Sequence, residues 1–184
     1  MGRLGRIDGG VLACVLLCAT GAMAQGVQGV HPDTGNLQVG VGFSFVSFNL
    51  VPSTTANNAG AIGSLVYYHN YLGAEAQVSD DFGTQNGKNS QLLFTGGGVR
   101  LRWQHSSSLE PWFHAVAGYT HYTPKVTYGG DSAVGYKVGG GVDFHPHRSR
   151  LAYRVSGDLF GTNFFNTYQL SPEVSVGIIF SLGH

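Results

Sequence analysis

From Glu173 to Leu182 the chain reads E-V-S-V-G-I-I-F-S-L, and every second residue is apolar. Side chains alternate across an extended segment, so Val174, Val176, Ile178, Phe180 and Leu182 share one face, opposite Glu173, Ser175, Gly177, Ile179 and Ser181. A period of two does not suit an amphipathic helix, whose apolar positions recur every three or four residues. The same rhythm runs from Leu37: Leu37, Val39, Val41, Phe43 and Phe45 face one way, and Gln38, Gly40, Gly42 and Ser44 the other. A chain built on this repeat is constrained to form sheet.

Six further segments fit a strand reading: Ile62 to His69, Leu72 to Ser79, Gln91 to Trp103, Trp112 to Tyr122, Ala133 to Phe144 and Leu151 to Phe160. In the first of these the alternation does not fix which face is which. After Phe45 the apolar phase shifts to Val46, Phe48 and Leu50, which predicts a bulge or exit from the bilayer. Four polar stretches, Val51 to Gly60, Asp80 to Ser90, Pro124 to Asp131 and Gly161 to Gln169, are predicted as long loops. Shorter turns fall around Asn70-Tyr71, His105 to Pro111 and His145 to Arg150. Eight strands joined alternately by long and short connections make an up-and-down pattern.

Composition decides what that sheet faces. Only 11% of the residues are charged, against roughly 25% in a soluble domain, so much of the surface is expected to meet something other than water. No stretch after the N-terminal region reaches the roughly 20 apolar residues of a spanning helix. Strands can cross a bilayer only as a closed barrel, because every backbone polar group must then find its partner inside the sheet. The first 24 residues read as a secretory signal peptide: Arg3 and Arg6, an apolar run from Val11 to Cys18, and Ala22-Met23-Ala24 before Gln25. Residues 25–36 read as a flexible lead-in, and the barrel domain as 37–184. Removing the leader takes two of the 10 basic residues and one of the 10 acidic ones, leaving 8 against 9, and it takes both cysteines, Cys14 and Cys18. This excludes disulfides, thiol chemistry and the basic patch of a nucleic-acid binder.

In a transmembrane barrel the polar faces point inward. Glu75, Arg100, Arg102, Lys137, Asp143, Arg154, Asp158 and Glu173 then form four acids and four bases inside, spaced by glycines such as Gly139, Gly141 and Gly177 that relieve crowding. An unpaired charge there would cost several kcal/mol, so ion pairs are expected. The alternative is a soluble lipocalin-like barrel with the apolar faces inward around a ligand; its solvent face would then carry only those eight charges. Trp103 and Trp112 flank one turn and are predicted as part of an aromatic girdle at the membrane interface, with Tyr71, Phe144 and Tyr153. A second girdle is predicted from Tyr119, Tyr122, Phe160, Phe164, Phe165 and Tyr168.

The residues suggest no cofactor and no metal site. Gly96-Gly97-Gly98 and Gly139-Gly140-Gly141 lie within strands and open no helix, as a nucleotide loop would require. His69, His105, His145 and His147 lie at turns, where solvated histidines are expected.

The closing segment, through Ser175, Gly177, Phe180 and Leu182, resembles the C-terminal β-signal of bacterial outer-membrane barrels, the segment captured by their assembly machinery. With the spacing of the eight strands and patches such as Gly63-Ser64-Leu65-Val66-Tyr67 and Gly139-Gly140-Gly141-Val142-Asp143, the chain resembles the OmpA/OmpX-like family of small outer-membrane β-barrels. The resemblance implies an all-β, eight-stranded antiparallel transmembrane barrel without a peptidoglycan-binding domain, located in the bacterial outer membrane. Its implied role is structural or surface-interacting, of membrane-integrity, adhesion or small-pore type, and not enzymatic. Expected partners are outer-membrane lipid, the assembly machinery, and a protein or carbohydrate at the external loops; the barrel is expected to be a monomer. Some barrels of this size are lipid A deacylases with a His and a Ser two residues apart on an outward face. His121 occupies such a place here, with Thr123 where the Ser would stand.

Overall fold

The computed structural model describes residues 37–51, 54–85, 88–103, 108–124, 130–146, 150–164 and 167–182. The predicted signal peptide and lead-in lie outside them. Eight strands follow in order: β1 (Leu37–Val51), β2 (Thr54–His69), β3 (Leu72–Gln85), β4 (Lys88–Arg102), β5 (Leu109–Pro124), β6 (Asp131–Phe144), β7 (Leu151–Phe164) and β8 (Thr167–Leu182). Each pairs antiparallel with its neighbours, and β8 returns to β1 through a ladder from Leu37↔Leu182 to Val46↔Glu173, closing the barrel. Closure leaves no edge with unpaired backbone groups.

Alternation decides the faces. Phe43 and Val134 are exposed on the outside by 75% and 77%, whereas Arg100, Lys137, Asp143 and Glu173 are fully buried inside. Between Ala61 and Tyr68 the sequence left the facing open; here Leu65 and Tyr67 point outward and Val66 and Tyr68 inward. The predicted bulge after Phe45 does not occur. β1 stays in register with β2 through Val46↔Asn58, the irregularity falls between Asn49 and Val51, and Val46 points inward. Its phase shift reflects an interior that turns apolar at that level.

Three of the four long loops are also corrected. The chain continues as strand to Val51, Gln85 and Phe164, and resumes at Thr54, Lys88 and Thr167; the connection expected at Pro124 to Asp131 stands where β5 ends and β6 begins. Strands of 14 to 16 residues, rising about 3.3 Å per residue and tilted about 40°, span roughly 35–40 Å. The apolar belt of a membrane barrel is about 25 Å tall. At the near end, where β1 enters and β8 leaves, the outward row is apolar from its first residues, Leu37, Leu72, Leu109, Leu151 and Leu182. The surplus strand therefore projects at the far end. Polar residues there keep the extended conformation because their neighbours supply the ladder, so a loop-like composition hid the strands.

At the near end the β2–β3 turn is tight. Asn70 takes a φ of 60°, a left-handed conformation that asparagine tolerates better than most residues.

Candidate functional site

The interior is the chemically dense part of the molecule, and its lower half, toward the near end, is polar. Arg100 donates to both oxygens of Glu75, Nε lying 2.9 Å from Oε2. Arg154 grips Asp143 with Nε at 2.7 Å from Oδ1 and Nη2 at 2.6 Å from Oδ2. Lys137 donates to Glu173 at 2.9 Å and to Ser79 at 3.2 Å. Arg102 stands 3.9 Å from Glu110, donates to the Asn70 carbonyl at 3.0 Å, and lies over the Tyr68 ring. Asp158 meets His114, whose Nε2 is 2.9 Å from its Oδ1. Paired carboxylates and bidentate guanidinium groups fit a packed low-dielectric interior, where each charge must be matched.

Three of these interior groups did not stand out in the sequence. Glu110, the second residue of β5, sits in a stretch read as turn, Asp81 sits in a stretch read as loop, and His114 falls among apolar residues. All three are buried; Asp81 bonds to Ser44, and His114 bridges Glu75 and Asp158. The recoverable signal was phase, since Glu110, Trp112, His114 and Val116 continue the inward row of β5.

Trp112 is a correction. It is 2% exposed and interior, while Trp103 is 46% exposed on the outer surface. Two guanidinium groups lie over its indole, Arg100 3.9 Å and Arg154 4.7 Å from the ring centroid, and its Nε1–H donates to Asp143 at 3.0 Å. Gly141, paired with Trp112 across the β5–β6 ladder, leaves room for the ring: a Cβ there would meet Trp112 Cζ2 at 2.7 Å. Flanking a turn places an aromatic near the interface in height but says nothing of the face.

Half of the predicted far-end girdle is interior too. Tyr122, Phe160 and Phe164 pack with Val46, Leu92, Phe94 and Val116 in an apolar cluster filling the upper interior. Phe94 and Phe160 meet edge to face at 5.5 Å, a favoured aromatic geometry. Lys137 lies where the two halves meet, its ammonium 4.7 Å from the Phe94 ring and 5.0 Å from Phe160. Phe165 lies outside the described residues. Among the described residues the outward aromatics toward the far end include Phe45, Phe82, Tyr119, Tyr136 and Tyr168, with the last two sharing a phenol-to-phenol hydrogen bond. At the near end Tyr71, Trp103, Phe144 and Tyr153 face outward.

In β8, Ser175 is buried against Ser156 at 2.6 Å between hydroxyl oxygens, while Phe180 and Leu182 face outward. Gly177 has no room for a side chain, because a Cβ would lie 2.5 Å from the Val41 carbonyl oxygen and 2.9 Å from Gly42 Cα. Of the turn histidines, His69 is exposed and His145 is buried, contrary to the solvated state expected at turns; His105 and His147 lie outside the described residues. On the outer surface near the far end, His121 Nδ1 lies 2.8 Å from Ser132 Oγ, which is also 2.8 Å from the Tyr119 hydroxyl. The register partner Ser132, and not Thr123, is the serine-type group beside this histidine.

A void of about 20 Å³ remains in the lower interior, lined by Arg100, Trp112, Arg154, Gln77 and Ser156 among others. It has room for about one water molecule.

No protein-family model matches the sequence, and no relative is found among curated proteins. Solved structures do match. Neisserial surface protein A superposes with a TM-score of 0.64 at 15% identity over 79% of this chain and 96% of that one. The outer membrane protein OprG of Pseudomonas aeruginosa gives 0.55 at 8% identity, covering 82% and 98%. Ail, the attachment invasion locus protein of Yersinia pestis, gives 0.53 at 13%, covering 80% and 99%. The chain has the eight-stranded fold of small outer-membrane barrels. Its apolar exterior and charged interior exclude the soluble lipocalin-like alternative, and make it a transmembrane barrel in contact with lipid.

Proposed function

We propose that this protein is a structural or surface-interaction component of the bacterial outer membrane, of membrane-integrity or adhesion type, and not an enzyme or an open pore. The observation that carries the reading is the filled interior: ion pairs occupy its lower half and an apolar cluster its upper half. Eight-stranded barrels are narrow enough for side chains to fill. What remains for interaction is the projecting far end, whose outward residues include Asn57, Thr84, Asn89, Ser132 and Asn163 with Phe82 and Tyr168. Such uncharged hydrogen-bonding groups beside aromatic rings suit a protein or a neutral carbohydrate. Ail has been solved with the heparin analogue sucrose octasulfate. A sulfated ligand of that kind requires clustered Lys or Arg, whereas Val51 to Gly60 and Gly161 to Gln169 contain neither. In this reading the protein is a monomer, and the β8 segment through Ser175, Gly177, Phe180 and Leu182 is what the assembly machinery captures.

Purified protein in nanodiscs, passed over immobilised heparin and over neutral glycans at low salt, tests the ligand class. Little salt-dependent retention on heparin is expected, and tight retention there would reverse the assignment. The second reading, a lipid A-modifying hydrolase, is favoured by the contact between His121 and Ser132. Against it, the Tyr119 hydroxyl shares the same serine oxygen, and Asp131 Oδ1 accepts the Ser132 backbone N–H. Among the described residues these contacts align no carboxylate on the imidazole, as an activated nucleophile needs. Mass spectrometry of lipid A from cells expressing wild type and His121→Ala is expected to give identical acylation. An acyl chain lost only with the wild type would establish the enzyme.

A further inference from the structure

His114 sits on β5 with one carboxylate at each ring nitrogen. Nδ1 is 3.0 Å from Glu75 Oε2, Nε2 is 2.9 Å from Asp158 Oδ1, and all three side chains are buried. A neutral imidazole carries one N–H, so it can donate to only one of these oxygens and must turn a lone pair toward the other. Both contacts are attractive only if the site holds one proton more than a neutral imidazole between two carboxylates. The surrounding charge agrees. Among the described residues the buried acids Glu75, Asp81, Glu110, Asp143, Asp158 and Glu173 outnumber the buried bases Arg100, Arg102, Lys137 and Arg154, and an imidazolium offsets part of the difference.

The register makes the bridge possible. Gly139 on β6 pairs with His114 on one side and Asp158 on the other. A Cβ there would press on the Asp158 carboxylate and lie 2.7 Å from its Cα, so glycine is what lets the imidazole reach across a whole strand.

We propose that His114 is held as an imidazolium clasp that ties β5 to β3 and β7, and that the lower interior loosens when this proton leaves. Glu75 on β3, Arg100 on β4 and Asp158 on β7 face the ring directly, and the Trp112 ring packs edge-on at 5.1 Å. Further out stand the pairs Lys137 with Glu173 from β6 and β8, Arg154 with Asp143 from β7 and β6, and Tyr68 from β2 under Arg102. Arg and Lys keep their charge through the physiological range, so the clasp is the histidine-based, pH-responsive member of this set.

The direct test is nitrogen NMR of ring-labelled histidine in the folded wild-type barrel at neutral pH, with His114 assigned from the signal lost in His114→Gln or by sequential connectivity. Both ring nitrogens are expected to carry protons, and a neutral tautomer at His114 would overturn the proposal. A urea-unfolding series then reads the consequence. A proton bound only in the folded state stabilises fully below the ordinary imidazole range near 6.5 and is lost as pH rises. The wild-type unfolding constant is therefore expected to climb by up to about tenfold per pH unit above neutral, the slope of one linked proton, while His114→Gln stays flat. Parallel curves for the two proteins would contradict the clasp, and if the variant does not fold, the NMR measurement on the wild type still decides.

Discussion

The two halves of the barrel interior solve the same packing problem by opposite chemistry. Toward the near end the space between strands is filled by Arg100, Arg154, Trp112, Glu75 and Asp143, each charge held by a partner on another strand. Toward the far end it is filled by Phe94, Phe160, Phe164, Leu92, Tyr122 and Val46. The lower half lies within the apolar belt, where strands of opposite character already mark inside from outside. The upper half reaches toward the projecting end. Beside its apolar cluster the interior there also buries Asn58, Asp81, Ser90 and Gln169, and the outer face carries Asn57, Thr84 and Asn89 together with Phe82, Val134 and Tyr168. The interior thus changes along its length from paired charges to a mainly apolar filling, while the outer face gains polar residues toward the far end.

The comparison can be broken in order of expected effect. Arg100→Ala removes two hydrogen bonds from Glu75 and a cation from the Trp112 ring, and is expected to lower stability by about 4 kcal/mol, as stranding one partner of a buried pair does. Phe160→Ala opens a hole in the upper cluster and is expected to cost about 3 kcal/mol. Urea titration in detergent or vesicles reads both. Since the two sites share no direct partner, the double variant is expected to give the sum within about 0.5 kcal/mol. A neutral Arg100→Ala would mean that the lower charges are solvated and not packed.

A smaller pair sharpens the contrast between inside and outside. Trp112→Phe deprives Asp143 of the indole N–H and is expected to cost about 1.5 kcal/mol, the scale of a hydrogen bond to a charged group. Trp103→Phe, on the outer surface, is expected to stay within about 0.5 kcal/mol. Equal effects would remove the distinction.

What the sequence made legible follows the same division. Where the outside is lipid, alternation and charge carry the information, and the strands from Leu37 to Phe45 and from Val174 to Leu182 are readable residue by residue. Toward the far end the rule weakens. An Asn or Thr on the outer face looks like loop, and an inward Phe160 or Tyr122 looks like lipid-facing girdle, because the interior there is apolar too. The stretch from Thr54 to Asn58, polar enough to suggest a dispensable loop, is part of β2 and ends at the buried Asn58. Its deletion would therefore remove ladder. His114 was hidden for a different reason: its partners Glu75 and Asp158 are 39 and 44 residues away in sequence, and closure of the barrel is what brings them together.

The central claim is that the chain spans a membrane with Trp103 toward lipid and Trp112 sealed inside. Two single-tryptophan proteins, Trp112→Phe retaining Trp103 and Trp103→Phe retaining Trp112, can be folded into vesicles containing bromine-labelled acyl chains and their fluorescence compared with that in unlabelled vesicles. The account predicts strong quenching of Trp103 and little of Trp112. Quenching of Trp112 as strong as that of Trp103, or quenching of neither, would contradict it.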